Sequence, residues 1–119
     1  MSTIAERVAA GAAFLDEHDL DWWRADVERA INVDRLNLRR GDMCVLGQRC
    51  PVPAEPHRAE YVVYGLQLSG LDDPDALWEW GVPLGITAPL EYGGDRMDDA
   101  HDELAAEWKR VITGRRSAS

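Results

Sequence analysis

Cys44, Cys50 and His57 lie within one stretch, GDMCVLGQRCPVPAEPH at residues 41–57, which also holds half of the six prolines. Two thiols and an imidazole could hold a soft metal, and the thiols alone could pair as a disulfide. A structural zinc site needs four ligands and usually draws its cysteines from knuckles with about two to four residues between them. The five-residue gap between Cys44 and Cys50 is loose by that measure, and His18, His101 or a carboxylate would have to complete the set. A Cys44–Cys50 disulfide is within reach of a loop that folds back on itself, but two cysteines in a chain with no export signal fit a reducing compartment, so thiols and a cytoplasmic location are expected. The favoured reading is structural. Met43, Val45 and Leu46 flank Cys44 as a short buried segment in which cysteine acts as a small hydrophobe, and Gly47 lets the chain turn. No metal or cofactor is expected.

Five tryptophans stand against a single phenylalanine, and large indoles either fill a core or anchor a contact surface. Trp22 and Trp23 are adjacent, hence about 100° apart on a helix, and cannot both face one core centre. The spacing assigns Trp23 to the core and Trp22 to a margin or interface. Trp78 and Trp80 in WEWG point about 200° apart. For this pair two readings stay open: Trp80 as a contact anchor, or Trp78 inward with Trp80 beneath the VPLGITAPL segment.

Acid is concentrated in one third of the chain. Between Asp72 and Glu107 eleven carboxylates face Arg96 alone, while the formal net charge of the whole is −9. That field opposes phosphate backbones, so direct nucleic-acid binding is not expected unless Arg35, Arg39, Arg40, Arg49 and Arg58 form a separate basic patch. Asp98 with Asp102 and Asp99 with Glu103 share helix faces, but no calcium-loop glycine pattern accompanies them, and a solvated acidic face is the plain reading. The three histidines stand apart, without a nucleophile elbow or a metalloprotease helix around them, and GVPLG and YGGD lack the lysine of a phosphate loop. His18 reads as a solvated helix end and His101 as a boundary residue. The chain is therefore read as a non-enzyme.

The elements that position these residues are expected to be helices. Thr3 and Glu6 match a capping box, and Ile4, Val8, Gly11, Ala12 and Leu15 continue one apolar stripe, with AAGAA small enough for another backbone to approach. Gly11 costs about 1 kcal/mol against alanine in a helix interior, which packing must offset. A second helix is predicted over DLDWWRADVERAIN, capped by Asp19 or Asp21 and striped by Trp23, Val27, Ala30 and Ile31, with Asn32 as its stop. Val33, Leu36 and Leu38 mark a connector. AEYVVYGLQLSGL allows strand or helix, and helix ending near Gly70 is preferred. Asp73, Pro74 and Gly81 bracket a helix of about two turns. The last helix carries Met97, Leu104 and Trp108 on its stripe, acids early, Lys109 and Arg110 late, and Gly114 as its stop.

The expected molecule is thus a single all-α domain over residues 1–114, with four or five helices, an irregular Pro/Gly-rich segment and a flexible tail at 115–119. Its predicted core is Ile4, Val8, Leu15, Trp23, Val27, Ile31, Leu36, Val45, Leu46, Leu68, Leu77, Leu104 and Trp108. No apolar run approaches the roughly 18 residues a membrane span needs.

ERVAAGAAFLDE, then VDRLNL, CVLGQ and a closing helix with L..EW...I, resemble a set of small proteins carried by actinobacteria and their phages, and the twelve arginines against one lysine suit such a source. The resemblance implies a small helical protein and carries no activity with it. Cys44 lies in its CVLGQ, whereas Cys50 and the prolines lie outside it. The leading expectation is a phage-type accessory protein that binds a host or phage protein through Trp80, Trp22, Asp98, Asp99, Asp102 and Glu103. Alternatives are an acidic nucleic-acid mimic that blocks a host DNA-binding enzyme and a small zinc module using Cys44, Cys50 and His57. A homodimer is compatible with each.

Overall fold

The computed structural model of the chain describes residues 3–40, 43–51, 60–87 and 94–118, the side chains of 94–98 excepted. Five α-helices are described: α1 Ile4–His18, α2 Val45–Arg49, α3 Glu60–Ser69, α4 Leu77–Gly81 and α5 Gly94–Ala118, with single 3-10 turns at Val33–Arg35 and Pro74–Ala76. The described residues contain no strand, and the buried side chains form a continuous core from Val8 to Ile112. The all-α single domain is therefore what the sequence builds.

Local signals act where they were read. The Thr3 hydroxyl accepts from the Glu6 N–H and the Glu6 carboxylate accepts from the Thr3 N–H, closing the capping box of α1. The segment around Tyr61 and Tyr64 is helix α3, and Gly70, at φ +74°, ends it in the left-handed conformation that glycine adopts without penalty. Asp73 caps and Pro74 opens the turn that runs into α4.

α1 packs on α5, α2 on α3, and α4 on α3. A Cβ on Gly11 would sit 2.9 Å from the Trp108 ring and 2.0 Å from the Leu84 carbonyl oxygen, so the small face of α1 is spent on contact with the 82–87 turn and α5. Asp16, further along α1, pairs with Arg115, further along α5. Residue numbers rise together on the two helices, so α1 and α5 run parallel, and all the intervening chain serves as their crossover.

The second predicted helix does not form. Residues 20–31 are turns, with Asp21 and Arg29 at φ +65° and +58°, values a right-handed helix cannot contain. Tertiary partners take the groups a helix would use. Arg49 donates to the carbonyls of Glu28 and Arg29 at 3.0 and 3.1 Å, and Arg116 donates to those of Trp23 and Ile31 at 2.8 and 2.7 Å. The periodicity also reversed the tryptophans: Trp22 is fully buried, edge-on to Trp108 with ring centroids 5.6 Å apart, while Trp23 and Val27 are half-buried. Its indole N–H donates to Asp16 at 2.9 Å, which frees the ring to enter the core. Of the other predicted core residues, Ile4 and Leu68 are half-buried and the rest are buried.

Gly114 does not stop α5, which continues to Ala118 with no neighbouring atom within 4 Å of a Cβ at that glycine. The expected tail residues Arg115 and Arg116 are instead fastened to Asp16, Trp23 and Ile31.

Candidate interaction surface

CVLGQR, read from the sequence as a buried structural segment, is a structural clamp. The Cys44 Sγ accepts from the Gly47 N–H at 3.2 Å and caps α2, while Val45 and Leu46 are completely buried. Gln48 reaches across to Asn32: its Oε1 accepts from the Asn32 N–H at 2.7 Å, and its Nε2 donates to the Met43 carbonyl at 3.0 Å. Arg49 makes a two-pronged pair with Asp19, at 3.0 and 2.8 Å, with both side chains 8% exposed. The Asp19 hydrogen bond holds the Arg49 guanidinium above its ordinary value; burial, with the neighbouring Asp19 charge and hydrogen bond, pushes the Tyr64 phenol up as well. Arg49 is therefore unavailable to a basic patch, and Arg58 lies outside the described residues. Nothing in the spacing announced the duties of Gln48 toward Asn32 or of Arg49 toward Asp19, Glu28 and Arg29, because those partners are distant in sequence.

Cys44 and Cys50 are buried at opposite ends of α2 and are not joined in a disulfide, and His57 lies outside the described residues. Among the described residues no group of three histidine, cysteine or carboxylate side chains is placed to hold a metal ion, and no helix is long and apolar enough to cross a membrane. His101, expected at the boundary, is buried against the Trp78 ring, edge to face, with centroids 5.7 Å apart. Its position on α5 one turn before the buried Ala105 carries it inward.

The Trp78–His101 contact brings α4 against the first half of α5. Asp75 and Glu79 in the segment around Trp78, and Asp99, Asp102 and Glu103 on α5, are all exposed. Asp102 is 3.4 Å from Arg39, and Arg35, Arg39 and Lys109 alternate with Asp34 and Asp102 around an open groove of about 360 Å³ beside it. The side chain of Asp98 lies outside the described residues. Trp80 is half-buried, its ring edge-on to Phe14 of α1 with centroids 5.5 Å apart. Phe14 in turn stacks on the exposed His18 at 4.2 Å. Trp78 and Trp80 thus face different neighbours, as their angular separation requires. Trp22 is no surface residue, and among the described residues the large apolar side chain that stands out is Leu20, 77% exposed just beyond the end of α1.

Of the six residues read as a binding surface, the structure gathers Asp99, Asp102 and Glu103, leaves Trp80 at a half-covered margin and takes Trp22 inside. Arg35 and Arg39, named in the sequence as members of a possible basic patch, meet Lys109 and two carboxylates around the groove, a company that only the fold assembles. Comparison with family models, curated proteins and solved structures returned no match.

Proposed function

We propose that this chain is a non-enzymatic accessory protein that acts by binding a basic protein partner through the carboxylates of α4 and α5. The observation that carries the reading is the exposure of Asp75 in the Pro74–Ala76 turn, Glu79 on α4, and Asp99, Asp102 and Glu103 on α5, with α4 touching α5 through the Trp78–His101 contact. An excess of exposed carboxylates raises the rate of encounter with a basic partner and selects against acidic ones. The half-covered Trp80 at the margin of α4 supplies an aromatic anchor. The resemblance to small actinobacterial and phage proteins supports an accessory role inside a bacterial host cell.

The test is affinity capture from an actinobacterial lysate, followed by a binding titration of the captured protein at several salt concentrations. Three baits are compared: wild type, Trp80→Ala, and a variant carrying Asp99→Asn, Asp102→Asn and Glu103→Gln. The reading requires a partner that the neutralised variant loses and whose affinity falls as salt rises. Capture that ignores both variants, or a wild-type bait that retains no protein, overturns it. A captured DNA-binding enzyme displaced by duplex DNA would identify nucleic-acid mimicry as the mode of action.

A further inference from the structure

A second site stands on cations that the carboxylate surface does not use. Asp102, Ala105, Ala106 and Lys109 fall at i, i+3, i+4 and i+7 on α5 and share one face, and the segment at 34–39 forms the opposite wall of the groove of about 360 Å³. That segment runs against the direction of α5: the Ile31 carbonyl accepts from Arg116 at 2.7 Å, and Arg39 lies 3.4 Å from Asp102. Arg35 is halfway between Ile31 and Arg39 in sequence, and Lys109 is halfway between Asp102 and Arg116, so the two cations belong to the same level of the groove. Leu36, Ala105 and Ala106 line it beside them, the two alanines short enough to leave the floor open.

Acid outnumbers base in this chain by 22 residues to 13, and its cations are accordingly claimed: Arg24, Arg39, Arg49, Arg110 and Arg115 each pair with a carboxylate. Arg35 and Lys109 make no hydrogen bond or ion pair among the described residues. Two like charges on one groove repel each other, and an anion between them relieves that cost. Asp102 is engaged by Arg39 and stands about 10 Å along the α5 axis from Lys109. Asp34, exposed at the rim, offsets one of the two free cations, so the groove keeps a net positive charge. A phosphate monoester carries about −1.5 to −2 at pH 7 and three acceptor oxygens, enough to meet the Arg35 fork and the Lys109 ammonium together, where a carboxylate brings one charge and two oxygens. We propose that this groove binds the phosphate group of a small monoester between Arg35 and Lys109, with the carbon portion of the ester over Leu36, Ala105 and Ala106. Its volume is that of a small-molecule site. Arg35 and Lys109 have no part in the surface assigned to the protein partner, so the two proposals stand or fall separately.

The test uses the full chain with uniform ¹⁵N labelling. The backbone amide resonances of Leu36, Asn37, Ala105 and Ala106 are followed during titration with methyl phosphate at pH 7.5 and constant ionic strength, with sodium acetate as the monoanionic probe. The expected result is a saturable shift of these amides with methyl phosphate and binding of acetate weaker by at least about tenfold. Arg35→Gln and Lys109→Gln should each lose about tenfold in methyl phosphate affinity, the size of one charge-assisted hydrogen bond. Arg110→Gln removes the same charge outside the groove and should change the affinity by less than about twofold, since exposed charges at a distance are screened. The indole resonances of the buried Trp22 and Trp108 report whether each variant keeps its fold. Absence of a saturable shift in the wild type, an equal response to acetate, undiminished affinity in a folded Arg35→Gln or Lys109→Gln protein, or an equal loss in Arg110→Gln overturns the proposal.

Discussion

Arg49 and Asp16 show at the residue scale how much of this fold rests on individual charged groups. Arg49 sits where its fork satisfies Asp19 and two backbone carbonyls at once. Replacing it by methionine keeps the stem and leaves a buried carboxylate without its partner, which costs about 3–5 kcal/mol. Against a total stability of about 5–15 kcal/mol, urea denaturation of Arg49→Met should show a marginal or unfolded protein, and adding Asp19→Leu should recover part of the loss. Asp16 acts at the surface and its effect is pH-dependent. The Arg115 hydrogen bond, opposed by partial burial and aided by the Trp22 indole N–H, holds its carboxyl below the usual 3.8. A carboxyl lowered in the folded state contributes stability above its unfolded value and loses it as pH falls through the folded one. Asp16→Asn should therefore lie below wild type by a constant amount between about pH 7 and 5, with the gap closing below about pH 4. Because Asp16 is 44% exposed and its partner 32%, solvent screening limits the gap to about 1 kcal/mol.

At the scale of elements, α2 is too short to persist through its own hydrogen bonds, since helix nucleation is costly and five residues propagate little. It exists because Cys44 caps it, Val45 and Leu46 anchor it, and Gln48 and Arg49 tie it to Asn32, Asp19 and the 28–29 turn. The cap gives a direct measurement: Cys44→Ala should lower stability by about 1 kcal/mol in thermal or chemical denaturation, whereas Cys44→Ser, which keeps an acceptor at the same position, should lose less. Legibility in the sequence divides along the same line. The start of α1, the stop of α3 and the opening of the α4 segment are written in side chains that act within a few residues, and Thr3, Gly70, Asp73 and Pro74 disclosed them. The stretch 20–31 has a helical pattern and is not helical, because its carbonyls answer to Arg49 and Arg116, which no local window contains. The acid was legible as charge, and of the residues grouped with it Asp99, Asp102 and Glu103 are exposed together on α5, while Trp22 obeys the core.

For the molecule as a whole, the parallel pair of α1 and α5 is the frame on which the rest hangs. Arg115 and Arg116 join the end of α5 to the end of α1 and to the turns that follow it. Truncation after Gly114 removes the Asp16 pair and two charge-assisted bonds to carbonyls, and should cost about 2–4 kcal/mol in a denaturation experiment; an unchanged midpoint would show that the end of α5 is dispensable.

The same frame sets an order of events during synthesis. Asp16 and Arg115 are 99 positions apart, and Trp108, which covers Gly11, is almost as far from it along the chain. A ribosome adding about 5–20 residues per second needs roughly 5–20 s to travel between them. For that interval the small and apolar face of α1 has been made and its partner has not, so α1 waits for α5, and the two can pack only after the residues of α5 have been synthesised.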